Sequence, residues 1–543
     1  MSLPTLTPPT VTSPRLIRRH AGLPHRPEYG LAVAAFCLIL ACLAVSGRSV
    51  ERHSNGIGGG AWSDLESWKD RAVPGPTDTV VIATGDLITF DAHHPDSPSC
   101  AGLLLDPQAT LEFKADRTPH TMTVAGPIES YGMIRLEADR APDARIGLIL
   151  AAPESSNRVI RLLRNSSFLA LGVAGLPNHD RNITLTAGPP PNAGDAGPGS
   201  ILAKAETILE LHRTLLSDMI ISATGIDNTG FTPKERLNLI ENRFTGHARV
   251  VINYSDTPVL RRNVFEGPAI ALVGHPAIYV NGCKLAQVEG NVITGRYASG
   301  ILLANDTESS LAENTVALAG RGLYIHGRSS MIRRNLLTGC NPGLYMDSAA
   351  NAVLEDTTVY GPYPALTAVN STLQVANLRF VDRPETNVAI TIHDSTVTLL
   401  NTPIRPDHVR FDRAGSVTAM DYVVVRVVGR IPPGATVTIR TAAASGGPPK
   451  DKADLNVRNS PAPLSPTGFT PLPASGRALV VKSWTLTPTR NIPPPFYDLL
   501  LLPPTDPSGA EPHPIASMVI EPKPTWYRAD SSEPTPTVEL HLP

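Results

Sequence analysis

His326 and Asp347 hold the same place in two consecutive short runs, Gly322-Leu323-Tyr324-Ile325-His326 and Gly343-Leu344-Tyr345-Met346-Asp347. Read as strands, the alternation turns Leu323, Ile325, Leu344 and Met346 to one side and Tyr324, His326, Tyr345 and Asp347 to the other. An imidazole beside a carboxylate can move a proton, with His326 as general base and Asp347 as its orienting or acid partner. Tyrosine rings stack on the apolar face of a pyranose, and amide, imidazole and carboxylate groups bond its hydroxyls.

Two further runs, Ala277-Ile278-Tyr279-Val280-Asn281 and Gly300-Ile301-Leu302-Leu303-Ala304, align with the first pair. They extend the inward set with Ile278, Val280, Ile301 and Leu303. Tyr279 and Leu302 join the tyrosine column, and Asn281 and Ala304 the polar one, which Asn253 continues. Arg321 and Arg328 flank His326, and Asp306 and Glu308 follow the preceding strand. His326 and Asp347 are thus the candidate catalytic pair, and Tyr279, Asn281, Tyr324, Tyr345, Arg321 and Arg328 the candidate substrate-binding residues. The same strip also reads as a solvated sheet surface whose tyrosines stack for stability.

These residues admit two reactions on a sugar polymer. A lyase abstracts the proton next to a uronate carboxylate and usually relies on an acidic cluster that holds Ca²⁺. A hydrolase needs paired carboxylates across one cleft. No dense acidic cluster surrounds His326, so neither a metal nor a cofactor is expected, and enzymatic activity stays open.

The elements that must position these residues are announced by a repeat. The unit Asn-x-apolar-x-Gly occurs at Asn242, Asn263, Asn291 and Asn335, with Asn314 closing later at Gly320, and with Asp356 and Asn377 as substituted members. Successive members are 21, 28, 23, 21, 21 and 21 positions apart. Such a period fits one coil of three short strands and three turns. The asparagines suit one fixed corner, where the residue tolerates left-handed backbone and the amides bond from coil to coil about 4.8 Å apart. They are scaffold, and the expected fold is all-β, a right-handed parallel β-helix over 141–410.

Upstream, Gly56, Gly58, Gly59 and Gly60 precede Trp62-Ser63-Asp64, Trp68 and Val73-Pro74-Gly75-Pro76-Thr77-Asp78. Short strand-like runs closed by glycine continue to Gly126. Residues 54–140 resemble the G-eight domain, named for its eight glycines, with Thr77 where that family usually has Gly. The domain occurs in vertebrate cell-surface hyaluronan-degrading proteins, in polycystic-kidney fibrocystin and in many bacterial surface proteins. The resemblance implies an N-terminal cap on a β-helix of the pectate-lyase-like kind and a loose association with extracellular polysaccharide. It carries no catalytic residue onto this chain. Trp62 and Trp68 suit the plug that an open solenoid end requires.

Composition agrees with an all-β chain: charged residues make up 18% of the 543, with 42 Gly and 53 Pro. The formal charge of −2, with no basic tract past the N-terminus, gives no reason to expect a nucleic-acid partner. Residues 1–28 carry Arg15, Arg18, Arg19 and Arg26, and an apolar stretch lies within 29–47. That order predicts a cytoplasmic tail followed by a signal-anchor, a cleaved signal peptide or a lipoprotein signal at Cys42, with the body periplasmic or on the cell surface. Cys100, Cys283 and Cys340 are spaced for neither a disulfide framework nor zinc, and read as buried single thiols. Past about Leu400 the coil spacing fades, and strand-like runs among Pro- and Gly-rich stretches predict a β-sandwich-like domain over 415–543. The two functional readings are a membrane-tethered protein that binds, and in one version processes, an extracellular polysaccharide, and a non-enzymatic structural or adhesive stalk.

Overall fold

A computed structural model describes residues 49–428, apart from 95–96, 177–180, 189–196, 230–234, 270–271, 306–307, 329 and 382–387. Beyond 428 it describes 436–441, 477–492, 497–502, 516–520 and 537–541. The expected cytoplasmic tail (1–28) and apolar segment (29–47) lie outside the described residues, among which no helix is long and apolar enough to cross a membrane.

The body is a right-handed parallel β-helix of three sheets. Sheet 1 starts at Glu51–His53 and runs rung by rung to Val409–Phe411. Sheet 2 starts at Gly59–Ala61 and runs to Gly415–Val428. Sheet 3 comprises 11 strands, from His120–Val124 to Arg379–Val381. The alternation expected for sheet 1 holds: Ile278, Val280, Ile301, Leu303, Leu323, Ile325, Leu344 and Met346 are all buried in one continuous core.

The runs of sheet 1 begin with a small residue for a steric reason. A Cβ on Gly300 would stand 2.3 Å from Val316, and one on Gly343 would stand 2.7 Å from Val359. Core valines of sheet 3 press against the backbone at Gly300 and Gly343, so no side chain fits at these two positions.

The repeated asparagines form a buried ladder. Asn242, Asn263, Asn291, Asn314 and Asn335 are almost wholly inaccessible. Each Oδ1 accepts the backbone N–H of the preceding member at 3.0 Å, beginning with Thr214. The Nδ2 of each of the first four donates to the next Oδ1 at 2.9–3.1 Å, and all five donate to a carbonyl of the previous rung, such as Leu239 O at 2.8 Å for Asn263.

Two details differ from the sequence reading. The left-handed corner is the residue before each asparagine: Glu241 (φ 56°), Arg262 (54°), Glu313 (58°) and Arg334 (53°). The asparagine itself is held by its amide bonds. Asp356 and Asn377 therefore occupy the left-handed corner (φ 48° and 53°), and the ladder position passes to the buried Thr357 and Leu378. A surface carboxylate and amide take over outside, with Asn377 Nδ2 donating to Asp356 at 2.8 Å.

The expected division at residue 140 has no counterpart in the pairing, since Ile128–Ser130 pairs with both Gly102–Leu105 and Val159–Leu162 in parallel. The first coils are the end closure. Trp62 and Trp68 are buried there, with ring centroids 5.1 Å apart and Trp68 Nε1 donating to Trp62 O at 2.9 Å. Phe90 and Phe113 continue the aromatic column down the axis. The clustered glycines wrap Asp86, whose carboxylate accepts the N–H groups of Gly56 and Gly58 at 2.8 and 2.9 Å.

At the other end, the expected domain start at 415 falls on a rung. Residues 415–420 pair in parallel with Ser395–Leu400, and the same strand then pairs antiparallel with Arg477–Leu486. A separate antiparallel sheet joins Thr436–Thr441, Tyr497–Leu502 and Ala516–Ile520. The chain leaves the solenoid in mid-strand, where a valine-rich run (Tyr422 to Val428) favours continued extended backbone.

Cys100, Cys283 and Cys340 are buried and form no disulfide among the described residues. Burial pushes the Cys100 thiol up to about 12 and that of Cys340 up to about 11.

Two outcomes are expected. Asn263→Ala strips partners from at least two buried polar groups, each costing about 1–3 kcal/mol, and destabilises the surrounding rungs by about 2–4 kcal/mol. Asn377→Gly keeps the left-handed corner and costs under about 1 kcal/mol. Site-resolved hydrogen exchange measures both, because a solenoid need not unfold as one unit. A thiol reagent followed by peptide mapping is expected to leave Cys100, Cys283 and Cys340 unmodified in the native protein and to modify all three in denaturant.

Candidate functional site

The predicted columns exist on the outer face of sheet 1. Val251, Tyr279, Leu302, Tyr324 and Tyr345 stand in register on five successive rungs. Beside them run Asn253, Asn281, Ala304, His326 and Asp347.

An open cleft of about 430 Å³ lies over this face. Its floor is Val251, Leu302 and Ala304; Tyr279, Tyr324 and His326 rise from the sheet, and Arg249, Gly274, His275 and Pro276 complete the lining. The last three belong to a bulge. Leu272 pairs with Tyr297 and Pro276 with Ser299, so three residues stand opposite Ala298 alone. Gly274 takes a φ of 79°, which a glycine adopts without strain. The surplus backbone turns outward and builds one side of the cleft.

His326 and Asp347 meet, with Nδ1 3.4 Å from Oδ2. That separation is within reach of an ion pair only when the ring is protonated, and Nδ1 has no partner in hydrogen-bond geometry. Asp347 is otherwise engaged, accepting from the Tyr324 hydroxyl at 3.3 Å and the Ser348 hydroxyl at 3.1 Å. It can orient an imidazolium, but is not a free acid across the cleft. Burial, helped by the charge of Asp347, raises the Tyr324 phenol above its ordinary range, against the opposing pull of Arg321.

The other candidates have mixed positions. The Arg321 guanidinium lies 4.8 and 4.6 Å from the ring centroids of Tyr324 and Tyr345, and the two rings meet edge to face at 5.0 Å. Arg321 and Tyr345 thus brace Tyr324 from outside the cleft lining. Asn281 belongs to a second amide ladder, donating to Asn253 at 3.2 Å and accepting from Asn305 at 3.2 Å. Arg328 ends its strand opposite Ala350; its side chain, like the whole of Asp306, lies outside the described residues.

Sequence reasoning missed Arg249, Gly274, His275 and Pro276. One signal was present: the 28-residue spacing from Asn263 to Asn291, against 21 and 23 on either side, contains the bulge. Among the described residues no group of three or more His, Cys, Asp or Glu is placed to hold a metal ion.

The family described as "right handed beta helix region" matches residues 225–399, which include every rung of the cleft and less than half of the chain. Among solved structures, the A-module of the mannuronan C-5 epimerase AlgE6 of Azotobacter vinelandii is similar at 12% identity. That likeness covers 63% of this chain and 88% of the module with a TM-score of 0.18, too slight to inform function. No curated protein matches the chain.

Asp347→Asn removes a negative charge and a hydrogen-bond acceptor that both disfavour the Tyr324 phenolate. The Tyr324 pKa is expected to fall in this variant while staying above the ordinary value, because burial remains. Ultraviolet difference titration against a Tyr324→Phe reference reads the shift, and an unchanged or higher pKa would rule out the contact.

Proposed function

We propose that this chain is a polysaccharide-binding β-helix whose cleft on sheet 1 seats a stretch of glycan. The observation that carries the reading is the open cleft itself, which presents Tyr279 and Tyr324 over an apolar floor with His326 at one end. From the rung of Arg249 to that of His326 there are three inter-strand spacings, about 14 Å, a length suited to an oligosaccharide stretch. The glycine- and tryptophan-rich first coils, with their resemblance to the G-eight domain, support an extracellular polysaccharide as the partner. The basic tail and apolar stretch of residues 1–47 support a membrane tether with an extracytoplasmic body.

If the glycan is processed, the cleft favours proton abstraction over hydrolysis. His326 is the base and Asp347 orients it. No carboxylate lines the cleft among the described residues, so the paired acids of a hydrolase are not in place. Binding without turnover is the second reading, favoured by the engagement of Asp347 with Tyr324 and Ser348.

Screening against neutral and acidic polysaccharides is expected to reveal at least one bound polymer. Tyr279→Ala or Tyr324→Ala each weakens it about three- to tenfold, the equivalent of about 0.5–1.5 kcal/mol of ring packing. Where turnover is seen, His326→Ala lowers kcat about 10²–10⁴-fold with binding nearly unchanged. No binding across the panel would favour a stalk, and unchanged turnover in His326→Ala would remove the base.

A further inference from the structure

Many arginines on the outer faces stand beside an acid. Arg161 pairs with Glu129 at 2.8 Å, Arg236 with Glu210 at 2.6 Å, Arg243 with Glu266 at 2.6 Å and Arg262 with Glu241 at 2.9 Å. Arg249 is half-buried in the cleft lining, and its side chain makes no hydrogen bond or ion pair among the described residues. The ionisable neighbour acting on it is Tyr297. That phenol is buried, donates to Ala248 O at 3.1 Å, and is pushed up by its burial, so it stays neutral and offers no counter-charge.

No other lining group among the described residues supplies the missing negative charge. The remaining titratable lining residues are His275, His326, Tyr279 and Tyr324. Asp347 is four rungs from Arg249, about 19 Å at the inter-strand spacing, well past a Debye length of about 8 Å. Apolar Val251 and Leu302 occupy the floor between. A partly desolvated guanidinium without an anion is costly to keep, and its planar fork matches two oxygens of one acidic group.

We infer that the Arg249 end of the cleft is an anion subsite, taking a carboxylate or sulfate carried on a sugar ring and thereby selecting acidic over neutral glycans. This deepens the polysaccharide reading and rests on it. Arg249 supplies the two-point contact, and His275 on the bulge stands beside it as a hydrogen-bond donor.

The test measures binding of neutral, uronate-bearing and sulfate-bearing oligosaccharides of equal length, and of inorganic sulfate alone, to the intact protein and two variants. Arg249→Met keeps the apolar stem packed, and Arg249→Lys keeps the charge without the fork. An acidic series is expected to bind roughly tenfold or more tighter than the neutral one at low salt. Arg249→Met is expected to erase that advantage, weakening acidic glycans far more than neutral ones, and Arg249→Lys to restore only part of it. The stronger arm, uronate or sulfate, identifies the anion. Equal binding of acidic and neutral sugars, or an equal loss of both in Arg249→Met, would overturn the subsite and leave the polysaccharide reading standing. Sulfate binding that depends on Arg249, with no sugar bound in any arm, would do the reverse.

Discussion

Everything in this molecule depends on the stacking of backbone at one fixed spacing along a single axis. Parallel pairing of successive rungs satisfies the backbone within the three sheets, but corners have no such partner, and a buried corner with an idle N–H is costly. The asparagine ladder answers this at the corner between sheets 2 and 3. Each amide takes the N–H below it with its oxygen and spends both of its protons on neighbours in the same column. Because the acceptor of each rung belongs to the next, the corner is correct only when the neighbouring coil is in register. The ladder thus holds the rungs in phase, and the columns on the outer face of sheet 1 are a by-product of that phase.

Much of this was legible because the relevant physics is local and periodic. Strict alternation in Gly322–His326 and Gly343–Asp347 assigned the inward and outward sets, and the apolar members lie where the alternation put them. The Asn-x-apolar-x-Gly unit announced the rung. What failed was finer than a rung. Asp356 and Asn377 resemble ladder members in sequence but stand one position early, because left-handed backbone accepts Asn and Asp as readily as the buried ladder does. Similarity of residue type at near-constant spacing could not separate two adjacent corner positions with different demands.

The candidate site was half legible for a related reason. Its floor and its tyrosines follow from register, which the repeat encodes. Its outer side comes from surplus residues that break the repeat, and the direction in which a bulge throws its residues is set by three-dimensional packing. The spacing from Asn263 to Asn291 located the irregularity without saying that it would face the tyrosine column. Arg249 was invisible for a different cause: the significance of an arginine lies in the acids it lacks, and partners are contributed by distant rungs. Asp347, Tyr324, Arg321 and Tyr345 form one braced group, so a role for His326 depends on several side chains that do not touch the cleft.

The three sequestered thiols have a consequence for how the chain would meet an oxidant. An odd set of accessible cysteines would invite mispairing between copies and progressive oxidation. Burial raises the Cys100 and Cys340 thiols to about 12 and about 11, which disfavours their thiolates at neutral pH, and all three sulfurs are shielded from solvent. The folded solenoid is therefore chemically inert at its own cysteines, and its vulnerability is confined to the interval before the coils have closed around them.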